Sequence, residues 1–573
     1  MRSAPASLAF GDRAAFRARA RVLFQGALFA CGALAFAAII VSFVMPALAA
    51  VISPLFAGDA ARLAGGATEA SAAGGVSRVA LALRFTLVEA FLSALVAIFL
   101  GLPAAALVAR RDFPGRRLLL SLSGVPLCVP PVIIALAFVL FYGRQGYLNR
   151  VLMSAFGLTD PPVTFLYSIA GVVIAHGFYN FPVVLRTVCV AWERLDEREL
   201  EAASLLGAGR LRAWRTITLP KLSGAVLSSA ALVFLYCFFS FVIVLLFGGV
   251  GGTTLEVELY QAARTSLDFR AAGTIALVET AAAAAVVFLY SRALRASARA
   301  SGGLGAARPR KPLSGPTERV LASAYLVFIA LFFVGPLASI VFRSLMVPAS
   351  SAFSSRTAIG LGAWASFLGR PNFLSALGRT VAVSLSSAAL ATAGALFFAL
   401  ALDRAKGRFA LLVRDAAPLF PLAVSSVALG FGWSLVSPRG NVAILVLAES
   451  AIAWPFAWTQ IRASLDRIPA SARDAAALLS RSGLDARFRV IVPLVRKGVL
   501  SGAGFVFAIA AGDATLPLVL SIRGFENLPL LLFRLSGSYR FSEACACATF
   551  LALLSGFAFF LQDAADRGEG DHR

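Results

Sequence analysis

The sequence predicts an all-α integral membrane protein of about 12 transmembrane helices, arranged as two homologous six-helix halves. Three observations predict it. The chain of 573 residues is 59% hydrophobic with a mean hydropathy of +0.84, whereas a soluble chain rarely exceeds about half apolar. Uncharged runs such as Val22 to Ile52, Gly224 to Gly248 and Val320 to Val341 match the ~20 helical residues needed to cross a hydrocarbon core. The second half of the sequence also repeats the first at a fixed offset. Because the apolar runs are continuous rather than alternating, helices are favoured over a barrel.

Twelve spans are expected, at roughly 23–48, 85–108, 118–142, 165–190, 223–248, 272–294, 320–344, 379–402, 411–435, 441–462, 498–521 and 543–562. The first is too long for a signal-peptide core and more spans follow, so it reads as a retained helix. The formal charge of +23 sits in short arginine clusters between apolar runs, which is the positive-inside pattern rather than a nucleic-acid-binding face. Arg2, Arg13, Arg17, Arg19 and Arg21 precede the first span. Arg110, Arg111, Arg116 and Arg117, then Arg194 to Lys221, then Arg292 to Arg319 occupy alternate loops. Arg404, Lys406 and Arg408, then Arg462 to Lys497, repeat the pattern. One orientation satisfies nearly every loop, and it places both termini in the cytoplasm. A bacterial inner membrane is the expected location.

The cysteines Cys31, Cys128, Cys189, Cys237, Cys545 and Cys547 all fall within apolar runs and read as small packing residues. With only His176 and His572 present, no metal site is expected. Residues 296–318 are rich in Gly, Ser, Pro and Arg and read as a cytoplasmic linker. It separates a first half, 1–295, from a second, 319–573.

The repeat fixes the organisation. Glu201-Ala-Ala-Ser-Leu-Leu-Gly207 and Leu219-Pro220 are answered 273 residues later by Asp474-Ala-Ala-Ala-Leu-Leu-Ser480 and Val492-Pro493. The same offset relates Pro182 to Pro455, Glu193 to Asp466, Leu255 to Leu528, Tyr260 to Phe533 and Ala271 to Ala544. Upstream, Pro126-Leu-Cys-Val129 resembles Pro421-Leu-Ala-Val424 at an offset of 295, so a 22-residue difference lies in the intervening loop. Two halves of parallel topology imply a pseudo-two-fold axis along the membrane normal, with a substrate path between them.

The repeated segments, 193–220 and 466–493, resemble the cytoplasmic coupling loop of binding-protein-dependent ABC importer permeases. The resemblance rests on Glu201, Ala202, Ala203, Gly207, Leu219 and Pro220, and on Asp474, Ala475, Ala476, Ser480 and Pro493. It implies a short helix that docks in a cleft of a separate ATPase subunit, expected in two copies. Gly207 permits the turn, and Pro220 stands where a helix start tolerates proline. The second copy departs from the pattern with Asp474 and Ser480, and Gly483 is expected to provide its turn. No phosphate-cradling Gly-x-x-x-x-Gly-Lys-Ser/Thr sequence occurs. The chain is therefore not expected to be an enzyme or to hold a cofactor, with ATP and Mg on the partner ATPase.

Tyr142-Gly-Arg-Gln-Gly-Tyr-Leu148, Ala175-His-Gly-Phe-Tyr-Asn-Phe-Pro182, Ser425-Ser-Val-Ala-Leu-Gly430, Gly512-Asp513 and Gly537-Ser-Tyr-Arg540 look like fused thiamine permeases. Fused ferric-iron permeases share the two-half plan. The resemblance implies a thiamine-like cation as substrate, with ferric iron, a phosphonate or a polyamine as alternatives, and an extracytoplasmic binding protein as partner. A thiazolium-type cation favours aromatic faces and a carboxylate. Candidates within spans are Glu89, His176, Tyr179, Asn180, Glu279 and Asp513, with Asp513 aligned to Ser240.

Each candidate has a plainer reading. Asp513 could serve a packing hydrogen bond beside Gly512, Glu89 and Glu279 could pair with arginines or sit near an interface, and His176 could donate to a carbonyl. Arg144 and Arg540, in the outer segments 143–164 and 522–540, are candidate contacts for the binding protein, or else satisfy helix ends and lipid phosphates. A secondary transporter would also have twelve spans, but would need no coupling loop. A membrane enzyme would need a clustered polar constellation that the sequence does not show.

Overall fold

The computed structural model describes residues 7–63, 69–116, 119–120, 129–193, 195, 197–247, 252–300, 310–313, 315–347, 358–403 and 407–567. Arg2, Arg117, Cys128, Arg194, Arg404, Lys406, His572 and part of the 296–318 linker lie outside them. Among the described residues, ten helices are long and apolar enough to cross a membrane, and three shorter apolar helices accompany them.

The repeat is visible helix by helix. Ile169–Glu193 recurs as Val442–Asp466, 273 residues later at both ends, and Val242–Phe247 recurs as Thr515–Leu520 at the same spacing. Even an irregular feature is duplicated: the wide helical turns Trp214–Thr218 and Arg487–Ile491 precede the helices Leu219–Phe238 and Val492–Gly512. Near the other face, Thr86 Oγ1 accepts from Leu255 N at 2.9 Å, and Thr380 Oγ1 accepts from Leu528 N at 2.9 Å.

Small residues let the helices approach, as membrane packing requires. A Cβ on Gly101 would lie 2.7 Å from Val184 Cβ, and one on Gly177 would lie 2.5 Å from Val96 Cγ1. In the second half, a Cβ on Gly502 would lie 3.0 Å from Ala457 Cα.

The first helix of each half packs on the other half. Within Ser7–Leu63, Ser42 O accepts from Trp433 Nε1 at 3.1 Å, and Phe36 meets Trp454 edge-on at 5.6 Å. Within Pro316–Ser344, Phe333 stacks on Phe178 at 4.5 Å, and Tyr325 donates to Leu100 O. The linker end at Lys311–Pro312 pairs with Arg111–Asp112, and Arg310 meets Glu193 at 2.8 Å.

Three expected spans differ in form. The ninth, 411–435, is broken into Arg408–Ala416, the tight turn Ala417–Ala423 and Ser426–Val436, because Pro418 and Pro421 supply no N–H to a continuous ladder. The fifth and eleventh, 223–248 and 498–521, stop at Phe238 and Gly512 and resume after short breaks that contain Ser240 and Asp513. The 22 extra residues of the first half carry the helix Tyr147–Phe156 and the loop after it. Buried Asn149 pins that loop by donating to Gly143 O and Val163 O and accepting from Val163 N.

Candidate functional site

Two regions concentrate the candidate residues: a pair of exposed tips at the arginine-rich face, and a cavity between the halves.

In the first tip, Glu197–Leu205 ends at Gly207, whose φ of +78° is a left-handed conformation that favours glycine. Ala208 N closes the turn on Ala203 O at 2.9 Å. Glu201 and Ala202 are exposed, and Ala203 is half-buried. Leu219 and Pro220 then open the next membrane helix. In the second tip, Ala470–Leu479 ends at Ser480, which is extended (φ −93°, ψ 147°). The expected turn at Gly483 is not formed there. Gly483 is the first residue of a short helix, and Ser482 caps it by accepting from Asp485 N at 3.1 Å. A serine cap thus replaces a left-handed glycine. Asp474 and Ala475 are exposed, Ala476 is buried, and Pro493 again sits at a helix start.

Four leucines within the repeated segments stand out at these tips. Leu205 and Leu206 are each 88% exposed, and their counterparts Leu478 and Leu479 are 85% and 87% exposed. Leucines this bare, paired at matched positions on a polar face, mark an interaction surface rather than a core.

The cavity, of about 160 Å3, lies where the two halves meet. Pro130, Pro131 and Tyr179 line it from the first half, and Ser426, Glu449, Ile452 and Asp513 from the second. Tyr179 and Ile452 are repeat counterparts, as are Pro131 and Ser426 at the upstream offset. Asp513 caps Thr515–Leu520: its two carboxylate oxygens accept from Thr515 N at 2.9 Å and Leu516 N at 3.0 Å. Glu449 is 3% exposed and sits against the Asp513 carboxyl.

Of the residues expected on the pathway, the structure brings Tyr179 and Asp513 to the cavity. It places His176 and Asn180 elsewhere. His176 Nδ1 lies 2.5 Å from Glu89 Oε1, and Nε2 lies 2.7 Å from Ser240 Oγ. Asn180 donates to His176 O at 3.1 Å. Glu89 therefore pairs with a histidine, not an arginine. Glu279 faces Glu256 beside Ser425. Arg144 is exposed on the turn before Tyr147–Phe156, and Arg540 pairs with Glu543.

Glu449 was not among the expected residues. It is the repeat counterpart of His176, and a lone carboxylate at that aligned position was the available signal.

Ten membrane-length helices among the described residues, an inter-half cavity and a matched pair of exposed tips at one face are the features of a multi-pass membrane transport protein. The model of the family described as "binding-protein-dependent transport system inner membrane component" matches residues 97–301. A putative 2-aminoethylphosphonate transport system permease protein of Salmonella typhi is 35% identical over 209 residues, 36% of this chain and 72% of that protein. The thiamine transport system permease protein of Brucella abortus is 29% identical over 497 residues, 84% of this chain and 87% of its own length. That of Escherichia coli is 25% identical over 488 residues, 83% of this chain and 87% of its own. The chain belongs to the binding-protein-dependent transport permeases, the membrane subunits of ABC importers, and is a multi-pass inner-membrane protein.

Proposed function

We propose that this chain carries thiamine inward, between an extracytoplasmic binding protein that delivers it and two copies of an ATPase subunit that hydrolyse Mg-bound ATP. The observation that carries the energy-coupling part is the duplicated tip. Leu205-Leu206 and Leu478-Leu479 stand exposed at the ends of matched helices, as an apolar knob must if it is to enter a cleft on a partner. One ATPase copy sits under each tip, with Glu201 and Asp474 at the polar edge of the contact. Closure of the ATPase pair draws the tips together. Each tip leads through a short helix and a wide turn into a membrane helix, Leu219–Phe238 or Val492–Gly512, and the second of these lines the cavity with Ala508, Ile509 and Gly512, so movement of its tip tilts that wall. ATP drives this only by binding one arrangement better than the other. Both termini lie in the cytoplasm, and Arg144 and Arg540 face the binding protein.

The substrate reading is supported by likeness to thiamine permeases across both halves, whereas the phosphonate relative spans 36% of this chain. The cavity adds a charge argument, because its lining holds two carboxylates, Glu449 and Asp513, which favour a cation over an anionic phosphonate. At about 160 Å3 it is smaller than the ~300 Å3 typical of ligand sites, so the substrate requires a wider arrangement of the halves. Uptake of labelled thiamine, 2-aminoethylphosphonate and ferric iron, in cells with and without this chain, tests the reading. Thiamine uptake is expected to depend on the chain, and loss of either other uptake with thiamine unaffected would overturn it.

A further inference from the structure

We infer that Glu449 and Tyr179 form a station for one positively charged heteroaromatic ring in the cavity between the halves, with Glu449 as the counter-charge that selects a cation. This rests on the thiamine reading above and adds to it the part of the substrate that is recognised, and by which residue.

Size sets the first limit. A cavity of about 160 Å3 is close to the ~150 Å3 that accepts a single benzene-sized ring. In this arrangement the site fits one ring of a two-ring vitamin, not both. Its walls suit a flat cation: Pro130 and Pro131 are apolar, and Tyr179 brings an aromatic group, the partner that a cation over a ring face requires.

Charge sets the second. The two carboxylates of the lining are not equivalent. Asp513 is satisfied by two backbone N–H groups at the start of Thr515–Leu520, which also offers the positive end of a helix. Glu449 is 3% exposed, and among the described residues no basic side chain or backbone N–H lies within hydrogen-bond distance of it. Its polar neighbour is the carboxyl of Asp513. Two buried carboxyls side by side without a counter-ion are costly inside a membrane, and they open onto a cavity where a cation would supply the missing charge.

The repeat supplies the third argument. At the position equivalent to Glu449 the first half has His176, which is engaged by Glu89 and Ser240 away from the cavity. The duplicated framework therefore presents a carboxyl group, Glu449, from one side and an aromatic ring, Tyr179, from the other.

The test uses the whole importer, this chain with its ATPase and binding protein. It measures uptake of labelled thiamine and of its 3-deaza analogue, in which carbon replaces the thiazolium nitrogen and the ring is neutral. Glu449→Gln keeps the size of the side chain but removes the charge. It is expected to lower thiamine uptake about tenfold or more relative to the analogue, and Glu449→Asp to restore much of the preference. A proton shared between Glu449 and Asp513 would instead leave Glu449→Gln with the wild-type preference, and that result overturns the inference. Equal loss of both substrates from membrane-inserted Glu449→Gln protein assigns Glu449 a structural role and also overturns it. Wild-type uptake of thiamine with either result leaves the importer reading intact, whereas no thiamine uptake by the wild type removes the substrate reading and this inference together.

Discussion

The two halves share a backbone and differ in what they do with its polar positions. Each breaks its fifth membrane helix at the same repeat position, Ser240 or Asp513, and each faces that break with a residue of the preceding long helix, His176 or Glu449. In the first half the position is closed: Glu89, His176 and Ser240 bond to one another in the protein interior. In the second half it is open: Asp513 caps a short helix and Glu449 reaches a cavity. By contrast, the Thr86 and Thr380 hydrogen bonds are the same in both halves. Framework groups were kept by the duplication, and groups along the central axis diverged, so one half supplies a wall and the other a charged face.

Several substitutions would sharpen or break this comparison. The largest effect is expected where the halves are alike. Aspartate at Leu205, Leu206, Leu478 and Leu479 together should abolish uptake, a loss of more than about a hundredfold, since buried interface anchors are each worth ~2 kcal/mol or more. Amounts in the membrane should be unchanged, because these side chains are solvent-exposed. Unequal loss when one pair at a time is changed would show that the tips are not equivalent. Glu201→Lys with Asp474→Lys should likewise abolish uptake while insertion persists, as measured by transport and immunoblot of membranes.

Next comes the closed cluster. His176→Ala leaves buried Glu89 with Ser93 as its remaining partner, which costs about 1–3 kcal/mol. A lower thermal midpoint in detergent should report it, without the change in cation preference expected of Glu449→Gln. A changed preference in His176→Ala would dissolve the distinction between wall and charged face. Thr86→Val and Thr380→Val should each cost about 1 kcal/mol, with equal shifts in the same assay. The smallest effect separates the tips: Gly207→Ala must hold a left-handed residue and costs ~1 kcal/mol, while Ser480→Ala in its extended conformation should be close to neutral.

Much of this architecture is legible in the sequence. Uncharged runs and arginine clusters locate most spans because a bilayer punishes charge so strongly, and the 273-residue repeat locates both tips. In the sequence the ninth span reads as one helix, because its apolar run outweighs Pro418 and Pro421 when only hydropathy is counted. The packing of Ser7–Leu63 on the opposite half was not legible, since lipid-facing and helix-facing leucines are chemically alike. His176 drew notice as a lone histidine, and only the fold shows that Glu89 and Ser240 engage it. Glu449 does not stand out in the sequence, because one carboxylate in an apolar run reads as a tolerated exception. Its meaning appears when the repeat places it opposite Asp513.

The most direct test is uptake of labelled thiamine into vesicles that hold this chain, its ATPase and its binding protein, with ATP present or absent. The account predicts accumulation that requires ATP and is lost when the four tip leucines are changed to aspartate. Accumulation without ATP, driven by an ion gradient and indifferent to the tips, would contradict it.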